Sequence, residues 1–103
     1  MNRLKKLFEP IMIGELQLKN RIIRPGVMTN FAISGIVTDR MKNFYSELAR
    51  GGVGLIITGG TSSINLGQAA DNRLALYSDE FIPGLRELVE IVHAGGARIA
   101  AQL

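Results

Sequence analysis

Short apolar runs and helically spaced apolar residues alternate along the chain, and glycine pairs mark most of the changes. PIMIGELQLKN (10–20) sets Ile11 and Ile13 against Leu16 and Leu18 around Gly14-Glu15. Two period-2 segments about a turn signal predict a β-hairpin. RIIRPGV (21–27) follows as a β-branched strand, and Pro25-Gly26 ends it because proline cannot donate to a ladder. Residues 38–52 then change period. Thr38 suits a helix N-cap, Asp39 its first turn and Gly51-Gly52 its stop. Met41, Phe44, Tyr45, Leu48 and Ala49 form one apolar stripe, with Lys42, Asn43, Glu47 and Arg50 opposite. The pattern predicts an amphipathic helix whose stripe is core.

VGLIIT (53–58) is continuous rather than alternating, which predicts a strand covered on both faces of a parallel sheet. Gly54 within it predicts a close approach by a neighbouring element. A loop spans 59–77, opened by Gly59-Gly60; its length is that of a functional connection. Ser78-Asp79 caps a second helix, whose stripe is Ile82, Leu85, Val89 and Val92. Pro83 lies near its start and Gly95-Gly96 ends it. ARIAAQL (97–103) is a third apolar strand. The order is hairpin, β, α, β, α, β. Right-handed crossovers set three parallel strands side by side, with both helices on one face.

That arrangement leaves one sheet face and two strand edges uncovered. VGLIIT and RIAAQL contain few residues suited to water, so further strands or further copies of the chain must cover them. Residues 1–103, ending on a strand, therefore read as a truncated chain, with self-association through the exposed sheet expected. In such sheets ligands sit at the carboxyl ends of the strands, where glycine lets the backbone come close. Pro25-Gly26, Gly59-Gly60 and Gln102 are successive strand ends and are expected on one rim.

Composition narrows the chemistry. Apolar residues make up 47% and charged residues 20% of the 103, a globular balance. Part of the net charge of +3 sits in NRLKK (2–6), and no basic stripe interleaved with aromatics suggests a nucleic-acid partner. The chain has no cysteine, which excludes disulfides, thiolate metal sites and cysteine nucleophiles. The single His93 cannot build a multi-histidine metal site and reads as a surface residue near a helix C-terminus. Arg21 and Arg24 could approach a phosphate, but flanking a strand they read first as structural salt-bridge residues. No apolar run approaches the roughly 18 residues of a membrane span, and Met1 precedes no signal-type core, so a cytoplasmic protein without a membrane partner is expected.

LFEPIMIGELQLKNRII, GGVGLIITGGT and YSDEFIPGLRELVEIVHAGGARIAAQL, with their spacing, resemble the N-terminal part of the Old Yellow Enzyme family. The resemblance runs from about Leu7 to Leu103. It implies an α/β fold comprising an N-terminal hairpin plus the first three strands and two helices of a (β/α)8 TIM barrel. It also implies an FMN-dependent NAD(P)H oxidoreductase of the ene-reductase type, using NADH or NADPH and a small-molecule substrate with an activated C=C bond. Carried over by position, Pro25, Gly26, Val27 and Met28 run beside the flavin ring and Gly60 lies near its pyrimidine side. Gln102 hydrogen-bonds the pyrimidine edge; a neutral amide can donate to a flavin carbonyl and accept from the ring N–H.

One departure bears on the cofactor's tuning. Many relatives place a hydroxyl or thiol after strand one, whereas Pro25-Gly26-Val27 offers none and the Met28 thioether is a weak acceptor; Thr29 serves if the loop shifts by one residue. The family's substrate-anchoring pair, proton-donating tyrosine and phosphate loops fall beyond Leu103. Tyr45, Tyr77 and His93 match none of them, so no catalytic residue is assigned and the chain alone is expected to be inactive. Two alternatives stand beside this reading. One is a non-catalytic, self-associating α/β scaffold. The other is an amine-dehydrogenase relative carrying FMN and an iron–sulfur cluster.

Overall fold

The computed structural model describes residues 3–67 and 71–103, so the start of NRLKK and part of the 59–77 loop lie outside the described residues. A 3-10 turn at Lys5–Phe8 leads into the hairpin, β1 (Ile11–Ile13) and β2 (Leu16–Leu18). The two pair antiparallel, with Ile11 opposite Leu18 and Ile13 opposite Leu16. Gly14 turns the chain at φ 55°, which costs a residue without a Cβ little. Leu18 is the buried anchor of this unit, while Met12, Ile13 and Leu16 remain exposed.

The main sheet is built from β3 (Ile23–Arg24), β4 (Leu55–Ser62), β5 (Leu74–Ala75) and β6 (Arg98–Gln102). Strand β4 is central. β3 and β6 pair with it in parallel on either side, Ile23 beside Leu55 and Ile99 beside Ile56. Helix α1 (Asp39–Arg50) connects β3 to β4 and α2 (Ile82–Ala94) precedes β6, which is the predicted order. The predicted strand at 21–27 condenses to two paired residues, because Pro25 ends the ladder. β4 departs the other way. It runs through Gly59-Gly60 to Ser62 instead of giving way to a loop, because Thr61 and Ser62 pair with Leu74 and Ala75.

The expected close approach at Gly54 is present. A Cβ there would stand 2.6 Å from Asn20 Oδ1 and 2.7 Å from the Asn20 carbonyl. Asn20 in turn donates to the Gly52 carbonyl at 2.7 Å and accepts from Ile22 N at 3.1 Å. This clamp fixes the hairpin's exit against the start of β4.

Helix α1 follows the sequence closely. Thr38 Oγ1 accepts from Met41 N at 3.2 Å and donates to the Phe31 carbonyl at 2.6 Å, so one hydroxyl caps the helix and ties down the preceding loop. Met41, Tyr45 and Ala49 are buried; Phe44 and Leu48 pack half-buried beside them. Helix α2 differs. A 3-10 turn at Asp79–Phe81 precedes it, Pro83 falls in its first turn, and the Ser78 side chain caps no N–H. Its buried residues are Leu88 and Val92, with Leu85 half-buried, whereas Ile82 and Val89 are 44% and 36% exposed. The predicted and observed stripes share Leu85 and Val92. Packing against α1 and its approach selects between them, with Val37 3.2 Å from where a Gly84 Cβ would stand.

Ile56 of β4 packs with Met41, Tyr45 and Ala49 of α1, Leu88 and Val92 of α2, and Ala97 ahead of β6. The core thus lies between the sheet and its helical layer. The outer strands remain open: Ile23, Ala100, Ala101 and Gln102 are exposed. Among the described residues no helix is long and apolar enough to cross a membrane.

Candidate functional site

The carboxyl ends of β3, β4 and β6 converge. A Cβ on Gly26 would collide with the Gln102 side-chain oxygen and lie 2.8 Å from the Thr58 carbonyl, so the segment after β3 lies directly against the end of β6. A Cβ on Gly59 would lie 2.8 Å from the Val27 carbonyl and 2.9 Å from Met28 Cα. At Gly60 the nearest atom would be Met28 Sδ, at 3.4 Å, an ordinary contact. Gly60 is also the register partner of Gln102. Pro25, Gly26, Val27, Met28, Gly60 and Gln102 therefore share one rim, as the strand-end argument requires. Val27 and Met28 are 53% and 40% exposed, and Gln102 is exposed as well.

The rim is supported from behind at a slip in the sheet. Ile57 pairs with Ala100 but Gly60 pairs with Gln102, so β4 carries one extra residue there, a bulge. Side chains take up backbone groups around it. Gly59 N donates to the Tyr45 hydroxyl at 3.3 Å, and Thr61 Oγ1 donates to the Gly59 carbonyl at 3.1 Å. Gln102 N donates to Thr58 Oγ1 at 3.4 Å, and the Thr58 and Thr61 hydroxyls lie 3.3 Å apart. Arg24 Nη1 donates to the Ile57 carbonyl at 3.4 Å while its guanidinium lies 5.4 Å and 5.8 Å from the Phe44 and Tyr45 ring centres.

Several sequence expectations change here. Arg21 and Arg24 make no ion pair among the described residues; Arg24 instead binds a carbonyl and two aromatic faces, where a planar guanidinium stacks well. Thr29 Oγ1 accepts from Phe31 N at 3.3 Å in a local turn, which leaves its O–H proton able to donate. The apolar stripe accounts for Tyr45 only as core, and the sequence pattern gives Thr58 and Thr61 no role. The signals were available: a buried tyrosine hydroxyl needs a partner, and two threonines bracket the glycine pair. Arg73, in the small recess shared by Met28, Tyr45 and Gly60, has a buried Nε without a partner and was also missed.

A parallel sheet backed by helices, with its strand ends converging on one rim, places the chain in the α/β class. A sequence model of the NADH:flavin oxidoreductase / NADH oxidase family matches residues 6–103. The chain belongs to that family. It is 47% identical to a metal reductase of Desulforamulus reducens over 97 residues, covering 94% of this chain and 14% of that protein. It is 38% identical to an NADH oxidase of Thermoanaerobacter brockii, covering all of this chain and 16% of that one. Among solved structures, the Old Yellow Enzyme from Pichia sp. AKU4542 superposes with a TM-score of 0.85 at 33% identity, over 95% of this chain and 26% of that one. A 2-naphthoyl-CoA reductase complex gives 0.89 at 31% identity, over 96% and 15%. The fold is thus part of a TIM barrel, as the resemblance implied, and the chain spans a small share of each relative's length.

Proposed function

We propose that residues 1–103 form the N-terminal portion of a single FMN-binding barrel domain and supply its flavin-facing rim. The whole protein would be an NAD(P)H oxidoreductase reducing the activated C=C bond of a small molecule. The observation that carries this reading is the contact of Gly26 with Gln102 alongside that of Gly59-Gly60 with Val27-Met28. It leaves an uncharged surface made of Pro25, Gly26, Val27, Met28 and Gly60. A planar ring fits it: beyond the Met28 sulfur, nothing lies within 4 Å of where a Gly60 Cβ would stand, and the exposed Gln102 amide offers both a donor and an acceptor at the edge. When bound, FMN supplies the hydride chemistry between nicotinamide and substrate.

This chain's residues orient and hold. Gly26 and Gly59 admit backbone where a Cβ would clash, and Gln102 fixes the edge of the ring. The Met28 thioether, a weak acceptor, lies 3.4 Å from where a Gly60 Cβ would stand. No proton donor is assigned in these residues, so the chain alone would be inactive. The open face of β3 and β6 would be covered by the rest of the barrel or, in the isolated chain, by another copy. The relatives named above are oxidases and reductases, which gives no support to a non-catalytic scaffold. The test is direct. The full-length protein should purify with flavin absorbance or take up added FMN, and a colourless protein that ignores FMN overturns the reading. Gln102→Leu in that protein should weaken FMN binding about tenfold, the loss of roughly one good hydrogen bond, measured by fluorescence titration.

A further inference from the structure

We infer that Tyr45 is a positioning residue for the rim: its hydroxyl holds Gly59 at the β4 bulge and so sets the place of Met28 and Gly60. The inference rests on the flavin reading for what the rim carries, and on geometry alone for how the rim is held. A bulge takes peptide groups out of the ladder, and buried peptide groups need partners. The Gly59 carbonyl and the Gln102 N–H find theirs within the sheet, in Thr61 and Thr58. The Gly59 N–H finds its partner in α1, through Tyr45 at 3.3 Å. That bond joins the helical layer to the rim.

Tyr45 is itself held. It is 1% exposed, the Phe44 ring meets it edge-on at 5.4 Å, and the Arg24 guanidinium lies over its face while bonded to the neighbouring Ile57 carbonyl. Beyond Gly59 the fit is as close, because a Cβ there would lie under 3.0 Å from both the Val27 carbonyl and Met28 Cα. Any displacement of Gly59 therefore moves the Val27-Met28 backbone or opens a gap beside it. A phenylalanine would fill the same volume without the hydroxyl, so the bond to Gly59 is what tyrosine adds at this position.

The experiment is Tyr45→Phe in the full-length protein, read by amide exchange at Gly59, by FMN affinity and by the shape of the bound flavin's visible band. Exchange at Gly59 should rise about tenfold, the loss of one hydrogen bond, while amides elsewhere in β4 change less. FMN affinity should fall several-fold and the band should shift. Leu88→Ala, which removes core volume from α2, is the structural control: it should lower the melting temperature and leave the band in place. Unchanged exchange at Gly59 overturns the proposal. So does a raised exchange with the affinity and band of the parent protein, and so does a Leu88→Ala variant that shifts the band equally. If the parent protein takes up no FMN, the flavin reading fails by itself, and exchange at Gly59 still decides whether Tyr45 holds the bulge.

Discussion

Strands β4 and β6 pair side by side, each with an isoleucine near its start, and have opposite surroundings. In β4, Leu55, Ile56, Thr58, Thr61 and Ser62 are buried; in β6 only Ile99 is half-buried and Arg98, Ala100, Ala101 and Gln102 are exposed. The difference lies in their neighbours. β4 has β3 on one side, β6 on the other, β5 at its end and the helical layer over Ile56. Among the described residues β6 pairs with β4 alone. A continuous apolar run therefore records a capacity for burial, and the neighbours decide whether that capacity is used.

The largest effect should separate the two strands outright. In the 103-residue chain kept monomeric by dilution, Ile56→Ala removes a fully buried side chain and should cost about 3 kcal/mol, with Ala100→Ser on the exposed β6 staying within about 0.5 kcal/mol, by denaturant unfolding. Equal costs would break the contrast. Gly54→Ala comes next, at about 2 kcal/mol, because its new methyl meets the Asn20 backbone, which cannot swing away as a side-chain tip can. Thr38→Ala should cost about 1 kcal/mol by removing the cap of α1. As α1 covers β4, amide exchange in that variant should rise more in β4 than in β6.

The smallest effect tests the outer surface of the helical layer. Lys42 bonds Glu87 of α2 at 2.7 Å and Asp39 at 3.2 Å, and these carboxylates, Glu87 first, raise its ammonium above the usual 10.5. A raised folded value means the link is fully present below the unfolded value and fades as pH climbs through the folded one. Thermal melts of Lys42→Met should therefore differ slightly from the parent at neutral pH and converge in strong alkali. Added salt should shrink the difference as well.

Legibility followed the range of the interactions. The hairpin and α1 were readable because Gly14, Thr38 and the 41–49 stripe act within one or two turns of chain. The length of β4 was not, because its extension depends on Leu74 and Ala75, which local pattern shows only as loop. The stripe of α2 was ambiguous for the same reason, since both candidate sets keep helical spacing and only α1 distinguishes them. At the site, the convergence of Pro25–Met28, Gly60 and Gln102 followed from topology. Their support did not, because Tyr45 serves the core and the bulge at once, and the bulge is invisible without the β6 register.

The pairing of Thr61-Ser62 with Leu74-Ala75, reinforced by Leu76 N donating to the Ser62 carbonyl at 2.8 Å, staples the two roots of the intervening stretch together. Whatever is spliced between those roots inherits a closed mouth. Lengthening a closed flexible stretch is cheap, about 0.6 kcal/mol for each doubling. Residues added between those roots would therefore leave the pairing of Thr61-Ser62 with Leu74-Ala75 in place.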